Sequence, residues 1–178
     1  MAAALFERRL GDQALAMTEP VRTVSAGLLP GGRPSPAEVV ATMAELDLDL
    51  SRHRSTQVTS ELVGGAELVL GLARRHAREV VLLEPSAWGR TFTVKEFVRR
   101  GESAGPRQPD ESLAAWLERL HRGRARNDLV GSSTADDVAD PLGGPMSAYR
   151  ATARELAGLV DEVAALLWAP RPIGDRPR

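Results

Sequence analysis

The stretch ELVLGLARRHAREVVLL, residues 67–83, contains the pattern that decides the fold. Glu67 to Leu72 and Val80 to Leu83 are compact apolar runs of strand length. Between them, residues 73–79 form a short charged segment that is predicted to be a helix. Because strands that alternate with helices are typical of parallel sheets, the stretch predicts an α/β fold.

Helical patterns lie on both sides of this stretch. Within residues 1–18, apolar residues recur at helical spacing: Ala3, Phe6, Leu10, Ala14 and Met17. Pro20 is expected to end that helix. Residues 21–25 then alternate as in a short strand. Further helices are predicted to begin near Pro36, Thr59 and Thr93, and another is predicted around Trp116. The last helix is predicted from Pro145 to Trp168, with one apolar stripe that covers a face of the sheet. That stripe consists of Met146, Tyr149, Ala153, Leu156, Val160, Val163 and Leu167.

Composition limits the protein class. The 178 residues fit one domain, predicted for residues 1–168, and the Pro/Arg-rich residues 169–178 are predicted to form a flexible tail. The formal net charge of −1 gives no general attraction to nucleic acid or to an anionic membrane, so neither partner is expected. No apolar run has membrane-spanning length, and the expected location is the cytoplasm. The sequence contains no cysteine, which excludes disulfides and thiolate chemistry by its own residues.

Several short motifs, taken in order, resemble one enzyme family. The segment MAAALF at residues 1–6 resembles the opening of a first helix, and Ser25-Ala26-Gly27 stands at the end of a predicted strand. Residues 32–34, residues 51–54 and Asp140-Pro141 followed by Gly143-Gly144 continue the match. Together these motifs resemble the low-molecular-weight tyrosine phosphatases. The resemblance implies a flavodoxin-like parallel sheet with helices on both faces.

The same resemblance implies a segment ahead of residue 1. In that family the first helix follows a phosphate-binding loop of pattern Cys, five residues, Arg, Ser, and Met1 falls on the methionine after that loop. The expectation is therefore a chain truncated before residue 1, which lacks the first, central strand, the phosphate loop, the nucleophilic cysteine and the phosphate-binding arginine.

The resemblance also assigns roles to residues that are present. Asp140 corresponds to the family's general acid, which protonates the leaving oxygen. Ser25 and His53 correspond to residues that hydrogen-bond to the phosphate loop and hold its shape. Leu29 and Leu142 stand roughly where the family has the aromatic walls of its tyrosine slot. The implied reaction is hydrolysis of phosphotyrosine, or of a related phosphomonoester on a protein or a small molecule, through cysteinyl-phosphate and without metal or cofactor.

Other interpretations of these features stay open. The chain as given is expected to be inactive because it lacks the nucleophile, and the main alternative is a non-catalytic binding or regulatory protein. Arsenate reduction on the same fold is a weaker alternative, because it needs further cysteines. Asp136, Asp137 and Asp140 are interpreted as a solvated acidic loop rather than a cation site. The arginines from Arg119 to Arg126 are interpreted as a solvated basic turn rather than a nucleic-acid contact. Trp88 is expected to anchor the core near the sheet edge, and His76 and His121 receive no role.

Overall fold

The computed structural model describes residues 1–13 and 21–168. Its helices are α1 (Ala2–Gln13), α2 (Ala37–Ala44), α3 (Ser60–Gly64), α4 (Arg74–Leu83), α5 (Val94–Ala104), α6 (Leu113–His121) and α7 (Met146–Leu167), and its strands are β1 (Val69–Gly71) and β2 (Thr91–Thr93). Two 3-10 helices, Pro85–Arg90 and Arg126–Leu129, complete the order. Ala14, Met17 and Pro20 of the predicted first helix, and the predicted tail from residue 169, lie outside the described residues.

The two strands are parallel neighbours. Val69 pairs with Thr91, Leu70 with Phe92 and Gly71 with Thr93. The crossover between them runs through α4 and the first 3-10 helix, as parallel pairing requires. The predicted α/β character is therefore confirmed, and β1 and β2 form the sheet of the described residues. The expected absence of a first, central strand stays a prediction.

The predicted strand at Val80–Leu83 is wrong, because these residues are the last turn of α4. The buried positions of this helix are Ala77, Val80 and Val81, whereas Leu82 and Leu83 are exposed. That spacing of three and four residues is helical, and a short apolar run cannot distinguish a strand from the buried side of a helix. The helix ends before Pro85, which cannot continue it.

The predicted strand at residues 21–25 is also wrong. Val21 and Val24 are exposed, and no described strand pairs with this segment. Backbone pairing begins further on, where Gly27 forms an isolated parallel bridge with Gln57 and Pro34 forms an antiparallel bridge with Arg54. An alternating pattern without a neighbouring ladder does not by itself produce a strand.

The predicted helices are confirmed within the described residues, and α7 has the predicted stripe. Tyr149, Leu156 and Val163 are buried on it, and α7 packs against α1, α2 and α5. These helices share the main hydrophobic core with Phe92 of β2. No helix of the described residues combines the length and the apolar character needed to cross a membrane.

Candidate functional site

Asp140 lies in the loop that joins the 3-10 helix Arg126–Leu129 to α7. The loop is tied to the sheet because the backbone N–H of Val138 donates to the carbonyl oxygen of Leu72 at 2.7 Å. Leu72 directly follows β1, so Asp140 stands near the carboxyl end of a parallel strand, where α/β proteins commonly bind ligands. Its side chain is 65% exposed and therefore open to a ligand from solvent.

Residues of α7 hold the Asp140 loop on both sides. The hydroxyl of Thr152 donates to the carbonyl oxygen of Ala139 at 3.2 Å, and the N–H of Gly143 donates to the hydroxyl oxygen of Tyr149 at 3.3 Å. Between these two anchors, the N–H of Leu142 donates to Asp140 Oδ1 at 3.1 Å. Gly143 has a φ of 78°, a left-handed conformation that favours glycine. The loop is thus fixed by hydrogen bonds rather than by burial.

Arg75 and His76, in the first turn of α4, lie next to this loop. Arg75 Nη2 is 3.9 Å from Asp140 Oδ2, and Arg75 Nε donates to His76 Nε2 at 3.2 Å. Burial lowers the pKa of His76 and the Arg75 charge lowers it further, against the opposing charges of Asp140 and Asp137. Sequence reasoning gave His76 no role, and the structure assigns it to the surroundings of Asp140. A signal was available, since Arg75 and His76 closely follow a predicted strand.

Asp136 and Asp137 correct the prediction of a solvated acidic loop. The Asp136 side chain is only 8% exposed and accepts hydrogen bonds from Arg74 and Arg99. Burial opposes its ionisation, but the bonds from Arg99 and Arg74 outweigh that effect and lower the pKa of Asp136. Asp137 Oδ1 accepts the N–H of Arg74 at 2.7 Å and so caps the N-terminus of α4. Within residues 1–13 and 21–168, no group of three or more potential ligands is arranged for a metal ion.

Ser25 and His53 lie in two segments that the backbone brings together. Gly27, two residues after Ser25, donates its N–H to Thr56 at 2.8 Å and accepts the N–H of Val58 at 2.9 Å. Both side chains are exposed, and neither forms a hydrogen bond with Asp140 or with any other described residue. Their role in supporting a phosphate loop stays a prediction.

Two positions expected to face a substrate have exposed aliphatic side chains. Leu29 is 65% exposed and Leu142 is 70% exposed. Leu142 lies two residues after Asp140, in the same turn. A leucine offers an apolar contact without the ring stacking of an aromatic wall.

Arg124 contradicts the expectation of a solvated basic turn. Its side chain is fully buried, Nε is 2.7 Å from Glu96 Oε1, and its guanidinium stacks at 4.0 Å from the ring centres of Trp88 and Phe92. Trp88 is partly buried and packs against a small apolar cluster of Ala77, Val81 and Leu129 rather than against the main core that the prediction named. The ionic partner of Arg124 is distant in sequence, so the local pattern contained no sign of it. Arg126 is exposed, as predicted.

Comparison with known proteins shows the family to which this chain belongs. Residues 1–122 match the family model described as low molecular weight phosphotyrosine protein phosphatase. This chain belongs to that family. Because the match covers more than half of the chain, membership does not depend on the short motifs alone.

Two similar proteins are named for different phosphatase activities, one on arginine and one on tyrosine. A protein-arginine-phosphatase of Geobacillus stearothermophilus is 30% identical over 168 residues, which cover 94% of this chain and 86% of the relative. The probable low molecular weight protein-tyrosine-phosphatase EpsP of Ralstonia solanacearum is 35% identical over 78 residues, 43% of this chain and 54% of that protein.

Solved structures confirm the α/β fold class. A low molecular weight protein tyrosine phosphatase from T. tengcongensis superimposes with a TM-score of 0.67 at 28% identity, covering 93% of this chain and 88% of the other. The YwlE arginine phosphatase from Geobacillus stearothermophilus gives a TM-score of 0.63 at 27% identity, with coverages of 92% and 80%.

Proposed function

We propose that this chain provides the acid-bearing side of a phosphomonoester hydrolase site, with Asp140 as the general acid. We further propose that its 178 residues alone do not complete the reaction, because they contain no cysteine. The observation that carries the proposal is the Asp140 loop, which is exposed, anchored by Tyr149 and Thr152, and located in a member of a phosphatase family.

The chemistry explains why both an acid and a separate nucleophile are needed. A thiolate attacks phosphorus, the S–P bond forms, and the P–O bond to the substrate breaks. The departing oxygen takes the proton of Asp140, which prevents a high-energy alkoxide or phenoxide from leaving. The Asp140 carboxylate then accepts a proton from water as the water attacks phosphorus and the thiolate departs. Residues 1–178 contain a candidate for the acid and none for the thiolate.

Phosphotyrosine or a related phosphomonoester is the proposed substrate class. The family description favours phosphotyrosine, whereas the Geobacillus stearothermophilus relative is named for phosphoarginine. Exposed Leu29 and Leu142 support a slot that accepts an apolar stem without selecting strongly for an aromatic ring. A phosphorylated arginine is therefore the second substrate class to compare.

The second candidate function is a non-catalytic binding or regulatory protein on the same fold. The observation that favours it is the absence of cysteine from the sequence. In such a protein, natural selection would not have kept Asp140 aligned with a substrate. A supplied phosphate loop would therefore give no turnover. The two functions therefore differ in what a supplied loop does.

A fusion experiment tests the role of Asp140. A strand and a loop of the family pattern Cys, five residues, Arg, Ser are placed ahead of Met1, and Asp140→Asn is compared with the parent fusion. We expect Asp140→Asn to slow hydrolysis of an aryl phosphate with a poor leaving group by about 10²–10⁴. A strongly activated aryl phosphate needs less protonation and should lose much less.

Asp110→Asn is the matched control, because Asp110 is an exposed aspartate far along the chain from the Asp140 loop. It should leave both rates within about twofold, since exposed substitutions rarely disturb a distant site. Equal losses on good and poor leaving groups would remove Asp140 from the acid role. A parent fusion that binds phosphate and folds but has no turnover would favour the binding protein.

A further inference from the structure

Lys95, the only lysine of the chain, lies in the first turn of α5 and contacts the segment that leads to Asp140. Its ammonium nitrogen is 2.8 Å from the carbonyl oxygen of Asp137, 3.3 Å from that of Thr134 and 2.6 Å from Glu155 Oε1. An ammonium group has three hydrogens to donate and no acceptor, so these three oxygens use all of its donors. The Lys95 side chain is only 21% exposed, which limits competition from water.

This contact differs from an ordinary ion pair on the surface. Exposed pairs contribute little, because water screens the charges and two long side chains must be ordered. Arg9 of α1 and Asp161 of α7 form such a pair, in which the Asp161 side chain is 67% exposed. Lys95 instead joins two backbone carbonyls to a carboxylate, and a charged donor forms stronger hydrogen bonds than a neutral one. It therefore fixes the backbone of the segment and not only a side chain.

Glu155 extends the row of α7 residues that hold the Asp140 loop. Tyr149 and Thr152 bond directly to the loop, and Glu155 follows Thr152 by three residues. Residues three apart are neighbours on one face of a helix. Glu155 reaches the loop through Lys95, which bonds to both. The loop is thus attached to one face of α7 at three successive points.

Two arginines hold the same segment from another direction. Arg74 of α4 and Arg99 of α5 both bond to the carboxylate of Asp136. They fix a side chain to the helices α4 and α5, whereas Lys95 attaches the backbone to α7. Because α7 also holds the loop on both sides of Asp140, Lys95 determines how closely the segment before Asp140 approaches that helix.

We propose that Lys95 is a positioning residue for the general acid, an inference that rests on the function proposed above. Its ammonium holds the start of the loop against Glu155 and so limits how far Asp140 can move away from a bound phosphate ester. Asp140 is 65% exposed, so its placement depends on the backbone and not on burial. Proton transfer requires hydrogen-bond distance between donor and acceptor, and a displacement of about 1 Å can cost about 100-fold in rate.

Amide hydrogen exchange of residues 1–178 tests the attachment without any need for activity. The variant is Lys95→Met, which keeps an unbranched stem and removes all three donors. We expect exchange at least about tenfold faster at Asp137 and Val138, whose N–H groups are hydrogen-bonded, and unchanged exchange in α6. Arg9→Met is the matched control, because it removes a cation from another ion pair of α7. It should leave the loop amides within about twofold.

Kinetics of the fusion that tests Asp140 separates positioning from stability. Lys95→Met should slow hydrolysis of the aryl phosphate with the poor leaving group by about 10- to 100-fold. The activated aryl phosphate should lose less than about threefold, because it needs little protonation. In the Asp140→Asn background, Lys95→Met should cost less than about threefold on either substrate, since no acid remains to be positioned. Arg9→Met should leave both rates within about twofold.

A second variant covers the case in which Lys95→Met unfolds, which a thermal melt detects. Glu155→Gln keeps Lys95 and an acceptor oxygen but removes the charge that holds the ammonium against α7. We expect a smaller loss than for Lys95→Met, again confined to the poor leaving group.

The outcomes distinguish this proposal from the proposed function. Unchanged exchange at Val138, equal losses on both substrates, or a loss that persists in full in the Asp140→Asn background would each overturn the role of Lys95. A selective loss for Asp140→Asn with none for Lys95→Met would overturn that role and leave the proposed function intact. A folded fusion without turnover, or one in which Asp140→Asn causes no selective loss, would overturn the proposed function and the role of Lys95 together.

Discussion

Asp140 owes its position to its neighbours. Among the described residues, its carboxylate accepts the N–H of Leu142 alone and lies near Arg75. Thr152 holds the backbone before Asp140, and Tyr149 holds it after Asp140. A general acid needs this combination of an ordered backbone and an exposed carboxyl group, because it must reach a substrate and exchange a proton with water. The two α7 residues are therefore positioning residues for the proposed acid.

Tyr149→Phe should loosen this loop without disturbing the fold. The change removes the acceptor of the Gly143 N–H and keeps the buried ring. We expect a loss of about 0.5–1.5 kcal/mol in the free energy of unfolding, the value of one ordinary hydrogen bond. Hydrogen exchange should accelerate at Gly143 and Leu142 and stay unchanged in α5. Uniform acceleration over the whole chain would mean that Tyr149 acts on global stability alone.

Individual residues were the least predictable part of the site. The resemblance identified Asp140 through the Asp140-Pro141 motif, but nothing local identified Tyr149 or Thr152 as its supports. Arg124 and Glu96 are similar, since a buried ion pair depends on tertiary contact between distant segments. The side chains of Ser25 and His53 are exposed and form no hydrogen bond or ion pair with a described residue, and their roles stay predictions.

At the scale of elements, periodicity predicted the helices well and the strands poorly. The long stripe of α7 is unambiguous because it extends over many turns. The three-residue strands β1 and β2 are too short for alternation to appear, and the end of α4 imitated a strand because Val80 and Val81 are adjacent apolar residues. Strand identity here depends on pairing, which a local pattern does not contain.

Close packing of α5 against α7 gives a prediction at this scale. A Cβ added at Gly101 would lie 2.6 Å from Leu166 Cδ1, whereas a Cβ added at Gly158 on α7 would meet nothing within 4 Å. Both changes to Ala gain helix propensity. Only Gly101→Ala forces Leu166 to move, and such overpacking costs about 1–3 kcal/mol.

Urea unfolding of both variants measures that difference. Gly158→Ala should stabilise the chain by about 0.5–1 kcal/mol. Gly101→Ala should be less stable than Gly158→Ala by about 1–3 kcal/mol and less stable than the parent. Equal stabilisation by both changes would show that α5 and α7 are not in close contact at Gly101.

At the scale of the whole molecule, family membership favours phosphatase activity, whereas the composition of the chain argues against it. The match over residues 1–122 places the chain among phosphatases, and the absence of cysteine removes the family's nucleophile from it. The α/β fold class was predictable chiefly through the resemblance to the family, because two of the three predicted strands, at residues 21–25 and 80–83, are wrong and β2 was not predicted. In the proposed function, the choice of substrate depends on contacts at Leu29 and Leu142, and no sequence pattern determines those contacts.

The most direct test of the account is the turnover of an activated aryl phosphate by purified residues 1–178. Without a thiolate, no cysteinyl-phosphate forms, and an acid without a nucleophile gives no catalysis of this kind. We expect a rate equal to the buffer control, with Asp140→Asn indistinguishable from the parent chain. Turnover above that control which Asp140→Asn abolishes would contradict the account, because the chain would then contain a nucleophile other than cysteine.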